Sequence, residues 1–294
     1  MVDSLLKNQY FLIAFPNAKI NLGLHVTGRR PDGFHDIETV FVPVPLKDAL
    51  EVVHAPPGST GIGITLYGLP VAGRAEDNLC VKAWQLLKTD FPTLPAAEAH
   101  LLKHIPMGAG LGGGSADGAF MLRLLNDTFR LGLTPEQLAV YALQLGSDCP
   151  FFIYNQPCFA RGRGEQLEPI PLQLAGWQLV LANPGIHVNT GWAFSRLDPA
   201  LFARSRANLR QVVRQPVDQW KAQLVNDFEQ PVFEQYPSIR LLRDRLYEEG
   251  AVYAAMSGSG STVYGLFVNN SAPASLPAGL APTAPAGTFQ VMNL

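Results

Sequence analysis

The sequence predicts an α+β protein of two domains, and three observations support this fold class. The chain has 294 residues, roughly twice the length of an average domain. Hydrophobic residues make up 47% and charged residues 16%, a composition typical of globular proteins and not of disordered ones. Segments with strand-like and with helix-like periodicity are both frequent. We expect one domain at residues 1–157 and a second at 158–294.

In the first half, runs of β-branched and aromatic residues predict strands at Tyr10–Ile13, Ala18–Thr27, Asp36–Val44, Leu50–Val53, Ile62–Leu66 and His100–Ile105. Helical periodicity predicts helices at Asn78–Lys88, Ser115–Asn126 and Pro135–Leu145. Thr134 is a candidate N-cap for the last of these, because proline follows it at the first helical position. Pro31 and the Asp32-Gly33 pair predict a turn between the second and third strands.

The second half is expected to contain four strands and two helices. The strands are predicted at Trp177–Ala182, Ala251–Ala255, Val263–Val268 and Phe289–Met292, and the helices at Thr190–Leu197 and Pro237–Glu249. Alanine and proline dominate Ser271–Gly287, which predicts a surface excursion without regular structure.

Charge and cysteine content narrow the function classes. The net charge is −2, the pI is about 6.3 and no basic stripe is present, which argues against nucleic-acid binding. No run of 18 apolar residues predicts a membrane span, and the apolar run Tyr10–Phe15 lacks the basic region of a signal peptide. The three cysteines fit neither a zinc site nor a disulfide framework, and the histidines show no metal-ligand spacing. We expect a cytoplasmic protein, a monomer or weak homodimer, that acts on a small molecule.

The most informative segment is Pro106-Met107-Gly108-Ala109-Gly110-Leu111-Gly112-Gly113-Gly114-Ser115-Ala116, which we call the phosphate loop. Five of its residues are glycines, which allow a ligand to approach the backbone closely. A predicted strand precedes the loop and a predicted helix follows it. A helix N-terminus offers free N–H groups and a partial positive charge, so the segment is suited to bind phosphate.

Three other interpretations of the loop are weaker. A Walker A loop ends in Gly-Lys-Ser/Thr, whereas this one ends in Gly-Ser-Ala. A dinucleotide-binding fingerprint fits Gly108, Gly110 and Gly113, but Asp127 lies at the end of a helix instead of the end of the next strand. A flexible turn alone does not need five glycines at a helix start. A phosphate loop of a non-Walker type is favoured.

Pro106–Ser115 resembles the Pro-x-Gly-x-Gly-Leu-Gly motif of the GHMP kinases, the galacto-, homoserine, mevalonate and phosphomevalonate kinases. Phe15–Leu22 resembles the first motif of that family and Ala255–Gly260 the third, so the resemblance covers about residues 14–268. It implies an N-terminal domain like the second domain of ribosomal protein S5 and a GHMP C-terminal domain. It also implies that ATP with Mg²⁺ donates a phosphoryl group to an alcohol.

Three further segments, Gly28–His35, Leu145–Phe152 and Asn226–Glu229, resemble one branch of the family. That branch phosphorylates the 2-hydroxyl of an alcohol linked to cytidine diphosphate, in the non-mevalonate route to isoprenoids. Two alternatives stay open: a kinase of the homoserine or mevalonate type, and a non-catalytic relative that binds a ligand. Phe34 and His35 argue against the first, because those kinases need no cytosine site, and intact Lys19 and Asp148 argue against the second.

The resemblance implies a role for several polar residues. Asp148 would be the catalytic base and Lys19 the cation near the reacting groups, although an aspartate holding a turn and a lysine on an edge strand are alternatives. Asn21 lies two positions after Lys19, on the same side of the strand, and would contact the substrate.

The remaining candidates would bind the two nucleotides. Phe34 would stack on cytosine and His35 would bond its edge, and Thr190 and Phe194, four positions apart, would cover the same base. Lys103 and Asn78 would contact ATP, although an exposed strand lysine and a helix-capping asparagine explain them equally well. Ala116 stands where the family has a serine, so we expect the phosphates to hold most of the magnesium and no protein residue to be a metal ligand.

Overall fold

The structure, a computed structural model, describes residues 12–273, 275 and 288–294. Within those residues the strands are β1 Leu12–Ala14, β2 Asn17–Arg29, β3 His35–Lys47, β4 Ala49–His54, β5 Ile62–Gly68, β6 Ala97–Lys103, β7 Cys158–Arg161, β8 Gln166–Pro169, β9 Trp177–Asn183, β10 Tyr253–Met256, β11 Val263–Val268 and β12 Thr288–Asn293. The α-helices are α1 Leu79–Asp90, α2 Gly113–Phe129, α3 Pro135–Leu145, α4 Cys149–Tyr154, α5 Thr190–Ser195, α6 Leu209–Val212, α7 Glu229–Gln235 and α8 Pro237–Glu248. The start of the predicted strand Tyr10–Ile13 and most of Ser271–Gly287 lie outside the described residues.

The folded chain divides into two compact units that alternate along the sequence. The first comprises residues 1–16, 47–104 and 114–154, and the second comprises 17–46, 105–113 and 155–294. The sequence instead predicts a single boundary at 157. The difference arises because β3 pairs with β7, with Thr39 opposite Ala160, and this pairing assigns β2 and β3 to the second unit.

In its described residues, the first unit contains one sheet and four α-helices. Its strand order is β1-β4-β6-β5, in which β5 runs parallel to β6 and the other pairs are antiparallel. A parallel pair needs a crossover, and α1 supplies it between β5 and β6. Strand β6 ends at Lys103, two residues before the predicted end, because the next amide donates to a side chain: the N–H of His104 bonds Asp48 Oδ1 at 2.6 Å.

The described part of the second unit contains two sheets, with strand orders β2-β3-β7-β8 and β10-β11-β9-β12. Alternate residues of β9 enter different hydrophobic clusters, as expected for a strand buried on both faces. Leu179 and Leu181 pack with Ile20 and Leu22 of β2, whereas Val180 and Ala182 pack with residues of α8. The β10-β11-β9-β12 sheet is therefore covered on one face by the β2-β3-β7-β8 sheet and on the other by α8.

Most predicted elements are observed with small changes in their bounds, but five short elements are absent from the prediction. They are β7, β8, α4, α6 and α7, each of seven residues or fewer, too short for periodicity to distinguish them. Across the residues that the structure describes, no helix is both long and apolar enough to cross a membrane.

Candidate active site

The phosphate loop has the backbone conformation that its glycines suggest. Gly108, Gly110 and Gly112 have φ angles of +64°, +78° and +71°, in the left-handed region that residues with a Cβ rarely adopt. Helix α2 begins at Gly113, two residues before the predicted start. Its first amides are therefore available at the end of the loop, where an anion is stabilised.

A second glycine-rich segment, Met256–Ser261, binds the phosphate loop although it lies far along the chain. The hydroxyl of Ser257 donates to the carbonyl oxygen of Gly110 at 2.8 Å, and the N–H of Thr262 donates to the carbonyl oxygen of Ala109 at 3.1 Å. The approach is so close that a Cβ on Gly110 would lie 2.0 Å from the carbonyl oxygen of Ser257. The two glycine-rich motifs of the sequence thus form one structure.

Lys19 and Asn21 lie on β2 beside this structure, and both are buried. The backbone N–H of Lys19 donates to the carbonyl oxygen of Leu111 at 2.9 Å, so strand and loop are joined directly. Lys19 Nζ donates to Asn21 Oδ1 at 2.6 Å and lies 4.7 Å from the centre of the Phe41 ring. The prediction that the two side chains share a face is confirmed. β2 is an edge strand, as the alternative for Lys19 supposes, but the lysine is only 4% exposed and does not extend into solvent. The catalytic role of Lys19 stays a prediction.

Asn21 is fixed from several sides. Its side-chain amide donates to Thr39 Oγ1 at 3.0 Å, and its backbone N–H donates to Ser257 Oγ at 3.3 Å. Its carbonyl oxygen accepts from the hydroxyl of Tyr264 at 2.7 Å. Because the amide is held in one orientation, Asn21 also fixes the ammonium group of Lys19.

Asp148 lies in the first unit, in the turn between α3 and α4, and is half-buried. The next residue, Cys149, is fully buried, and its N–H donates to the carbonyl oxygen of Gly146 at 3.1 Å. Burial raises the pKa of the Cys149 thiol to about 12, while its hydrogen bond with Ser115 opposes the rise. The turn that carries Asp148 is thus connected to the first turn of α2, and the buried thiol acts as a packing group.

The two residues predicted to contact the ATP outside the loop have internal partners. Asn78 is the N-cap of α1, and its Oδ1 accepts from the N–H of Cys80 at 2.9 Å. Lys103 is fully buried, and its Nζ forms ion pairs with Asp48 and, at 2.6 Å, with Asp117. The alternative of an exposed strand lysine is therefore wrong. Contact of these two residues with ATP stays a prediction, which the burial of Lys103 does not favour.

The predicted nucleoside-binding residues form two neighbouring groups in the second unit. The ring of His35 stacks on Phe194 with 4.6 Å between centroids and 14° between planes, and Phe194 meets Phe228 edge-on at 4.8 Å. Phe34 is 51% exposed, with the guanidinium of Arg163 4.6 Å from its ring centre. Burial and, to a lesser extent, Arg29 lower the pKa of His35, so the imidazole is neutral at pH 7.

Thr190 begins α5, and its hydroxyl lies 3.0 Å from the hydroxyl of Ser259 in the second glycine-rich segment. Thr190 and Phe194 are therefore on the same short helix, with one end at that segment and the other at His35. Arg163, which lies against Phe34, is not among the residues predicted from the sequence, although it stands in the Arg-Gly-Arg-Gly pattern at 161–164.

The segment Asn226–Glu229 has a structural role that the sequence left unassigned. Asn226 Nδ2 donates to the carbonyl oxygens of Met256 and Gly258, both at 2.8 Å. Glu229 Oε1 accepts from the N–H of Met256 at 2.8 Å. The side chains of Asn226 and Glu229 thus bind the backbone of the second glycine-rich segment. Burial raises the pKa of Glu229 to about 7, although the bond from Met256 and the charge of Arg243 oppose the shift.

This pKa shift predicts a pH dependence of stability. In the unfolded chain the carboxyl has its usual pKa of about 4.5, so between that value and 7 the folded state binds more protons. The free energy of unfolding should therefore fall as the pH rises through this window, by up to about 1.4 kcal/mol per pH unit from this group. Glu229→Gln should lack that contribution and gain stability relative to the wild type as the pH rises.

Denaturant unfolding at pH 5 and pH 8 measures the effect. Asp117, whose pKa burial also raises to about 7, titrates in both proteins, so the difference between them isolates Glu229. The matched control is Glu234→Gln, which changes an exposed glutamate on the same helix. Parallel stability curves for wild type and Glu229→Gln would contradict the prediction.

Comparison with known proteins agrees with this geometry. The family model of the GHMP kinases N terminal domain matches residues 78–156, and that of the GHMP kinases C terminal domain matches residues 202–280. A 4-diphosphocytidyl-2-C-methyl-D-erythritol kinase of Bacteroides thetaiotaomicron is 51% identical over 256 residues, covering 87% of this chain and 92% of the relative. The enzyme of the same name from Prosthecochloris aestuarii is 39% identical, covering 86% of this chain and 88% of its own.

Solved structures show the same relationship. The crystal structure of a 4-(cytidine 5'-diphospho)-2C-methyl-D-erythritol kinase aligns with a TM-score of 0.73 and 32% identity, over 87% of this chain and 90% of that one. Homoserine kinase from Cytophaga hutchinsonii aligns with a TM-score of 0.68 over 96% and 93% of the two chains, but at 15% identity it shares the fold alone. The two family models together match more than half of the chain, and the relatives are matched over most of their length. The chain therefore belongs to the GHMP kinase family.

Proposed function

We propose that this kinase transfers the γ-phosphoryl group of ATP to the 2-hydroxyl of 4-diphosphocytidyl-2-C-methyl-D-erythritol, giving the 2-phosphate and ADP in the methylerythritol phosphate route to isoprenoids. Relatives that are matched over about nine tenths of their length carry the name of this activity. The structural observation that carries the proposal is the neutral His35 stacked on Phe194, a pair suited to a pyrimidine base.

The phosphate loop is proposed to bind the phosphates of ATP. Its backbone has three left-handed glycines and leads into the N-terminus of α2, so amide groups and the helix dipole both favour an anion. Lys19, joined to the loop through Leu111, would stabilise the negative charge on the transferring phosphoryl group. Phosphoryl transfer relies mainly on such positioning and charge stabilisation.

Magnesium is proposed to enter with ATP, held mainly by its phosphates. Within the residues that the structure describes, no three Asp, Glu, His or Cys side chains come together as a metal site, and Ala116 offers no hydroxyl. When bound, the ion would supply positive charge that neutralises the phosphates.

Asp148 is proposed to accept the proton of the 2-hydroxyl as the phosphoryl group is transferred. A carboxylate is suited to this task because it is a short side chain with two acceptor oxygens. The turn that carries it is fixed by the buried Cys149 and its bond with Ser115. The alternative role, an aspartate that only holds the turn, makes a different prediction for its amide variant.

The cytidine end is proposed to be recognised by His35 together with aromatic rings. Neutral imidazole offers one donor and one acceptor, as the edge of cytosine requires. Phe34 is exposed, with the guanidinium of Arg163 over its ring, whereas Phe194 is half-buried. Both rings are therefore accessible to a base, Phe34 more than Phe194. Thr190, on the helix of Phe194, would contact the same nucleotide, and Asn21 would contact the acceptor alcohol.

The compartment and the assembly are proposals of the same kind. All three cysteines are buried free thiols, which is typical of a reducing compartment, so we propose a cytoplasmic enzyme. A monomer or weak homodimer stays our prediction for its assembly. A homoserine or mevalonate kinase is less favoured, because structures of those enzymes align at 18% identity or less and share the fold alone.

The acceptor can be identified by a panel assay. Coupled release of ADP should be observed with 4-diphosphocytidyl-2-C-methyl-D-erythritol and should be at least about a hundredfold slower in kcat/KM with free methylerythritol, homoserine or mevalonate. His35→Ala should raise the KM for the cytidine substrate roughly tenfold or more, because stacking and edge bonds each contribute on the order of 1–3 kcal/mol. The KM for ATP should stay within about twofold of the wild type.

The matched control is His54→Ala, because the ring of His54 also lies against a phenylalanine, Phe129, but both residues belong to the first unit, whereas His35 belongs to the second. It should leave both KM values unchanged. Faster turnover of homoserine or mevalonate than of the cytidine substrate would leave only the family assignment standing. Equal effects of His35→Ala on the two KM values would remove His35 from the cytosine site.

A further inference from the structure

Three charged residues that have no part in the proposed chemistry are buried at the two ends of the phosphate loop. Lys103 is the last residue of β6, which leads into the loop, and Asp117 is the fifth residue of α2, which follows the loop. The third is Asp48, between β3 and β4. All three belong to the first unit and are at most 3% exposed.

Their contacts connect the two ends to each other. Lys103 Nζ donates to Asp117 Oδ2 at 2.6 Å and to Asp48 Oδ2. The other oxygen of Asp48, Oδ1, accepts from the N–H of His104 at 2.6 Å. The ammonium group of Lys103, at the end of β6, is therefore bonded to Asp117, near the start of α2. The carboxylate of Asp48 accepts hydrogen bonds both from that ammonium group and from the backbone N–H of His104.

A contribution to the stability of the fold does not explain why these three charged residues are buried together. Burying an ion pair is costly, and a set of apolar side chains of similar volume is often as stable or more stable. The second oxygen of Asp117, Oδ1, is buried and has no hydrogen-bond partner within the described residues, which adds a further desolvation cost. The charges instead provide geometric specificity, because a hydrogen-bonded ion pair holds two chain segments at a defined distance and angle.

We propose that Lys103, Asp48 and Asp117 form a positioning triad that fixes the two ends of the phosphate loop and so sets the affinity for ATP. The inference rests on the proposed function, because it takes the phosphate loop as the site of ATP. The triad acts through the loop and does not itself touch the nucleotide. Lys103, which the sequence suggested as an ATP contact, is thereby assigned an internal role.

The test compares two variants of Asp117. Asp117→Leu removes the acceptor for Lys103 at nearly constant volume and should raise the Kd and KM for ATP roughly tenfold to a hundredfold, the effect expected when binding groups are misplaced by about an ångström. The KM for the acceptor alcohol should change less than about twofold. Asp117→Asn keeps an oxygen toward Lys103 and should restore most of the affinity. The matched control is Asp127→Leu, the same change at an exposed position of α2.

Binding of ATP is measured by calorimetry without acceptor, and KM values by coupled ADP release. An Asp117→Leu protein that is folded and less stable but binds ATP as the wild type does overturns the triad, and so does an equal rise in both KM values. If Asp117→Leu does not fold, Asp48→Asn gives the same test with an expected rise in Kd of roughly threefold to tenfold. If the wild-type protein fails to bind ATP, both the proposed function and the triad are overturned. If the wild type is active and the variants have the same Kd and KM for ATP as the wild type, the triad alone is overturned.

Discussion

Asp148→Asn should bind both substrates and lose turnover by roughly 10²–10⁴-fold, the range expected when a positioned acid-base group is removed. The amide is nearly the same size as the carboxylate and keeps one acceptor oxygen, so the turn before α4 should be preserved. What it lacks is the capacity to take a proton from the acceptor hydroxyl. The expected signature is therefore a large fall in kcat with small changes in the Kd for ATP and for the cytidine substrate.

A matched control distinguishes this role from that of a turn residue. Asp198 caps a short 3₁₀ turn, with its Oδ1 accepting from the N–H of Ala200 at 2.9 Å, and is exposed. Asp198→Asn should keep full activity. If Asp148→Asn behaves in the same way, with near-normal turnover in a folded protein, Asp148 is a structural residue and the base must be sought elsewhere.

Local patterns in the sequence predicted those features whose causes are local. Thr134 caps α3 as expected, and the reciprocal bonds of a capping box with Gln137 are present. Lys19 and Asn21 share a face because alternate residues of a strand do so. The phosphate loop was recognisable because its glycines are close together, and three of them adopt left-handed backbone conformations that few other residues adopt.

Features that depend on distant pairing were not predictable in this way. The pairing of Thr39 with Ala160 makes the two compact units alternate along the chain, and nothing local to either residue indicates it. Lys103 looked like a surface lysine because the acids that neutralise it, Asp48 and Asp117, lie 55 and 14 positions away. The role of Asn226 was hidden for the same reason, since the carbonyl oxygen of Met256 that it binds is 30 positions distant.

The closest contact between the two glycine-rich segments gives the second large prediction. Gly110→Ala should reduce kcat/KM for ATP by a hundredfold or more, on the order of the loss that a misplaced binding group produces. The new Cβ would lie 2.0 Å from the carbonyl oxygen of Ser257, a backbone atom that cannot rotate away, so the loop itself must move. Movement would also break the bond from Ser257 Oγ to Gly110 and shift the amides that we propose to bind the phosphates.

The strain of the left-handed backbone conformation must be distinguished from the steric clash with Ser257, because alanine at a φ of +78° is itself unfavourable by roughly 1–2 kcal/mol. Gly132 provides the matched control: its φ is +74°, and no heavy atom lies within 4 Å of a Cβ added there. Gly132→Ala should therefore lose similar stability by strain and keep its affinity for ATP, whereas Gly110→Ala should lose both. Thermal unfolding measures the first effect and calorimetric titration with ATP the second. If the two variants bind ATP equally well, the contact with Ser257 does not control the phosphate loop, and the loop tolerates displacement that the proposed binding mode forbids.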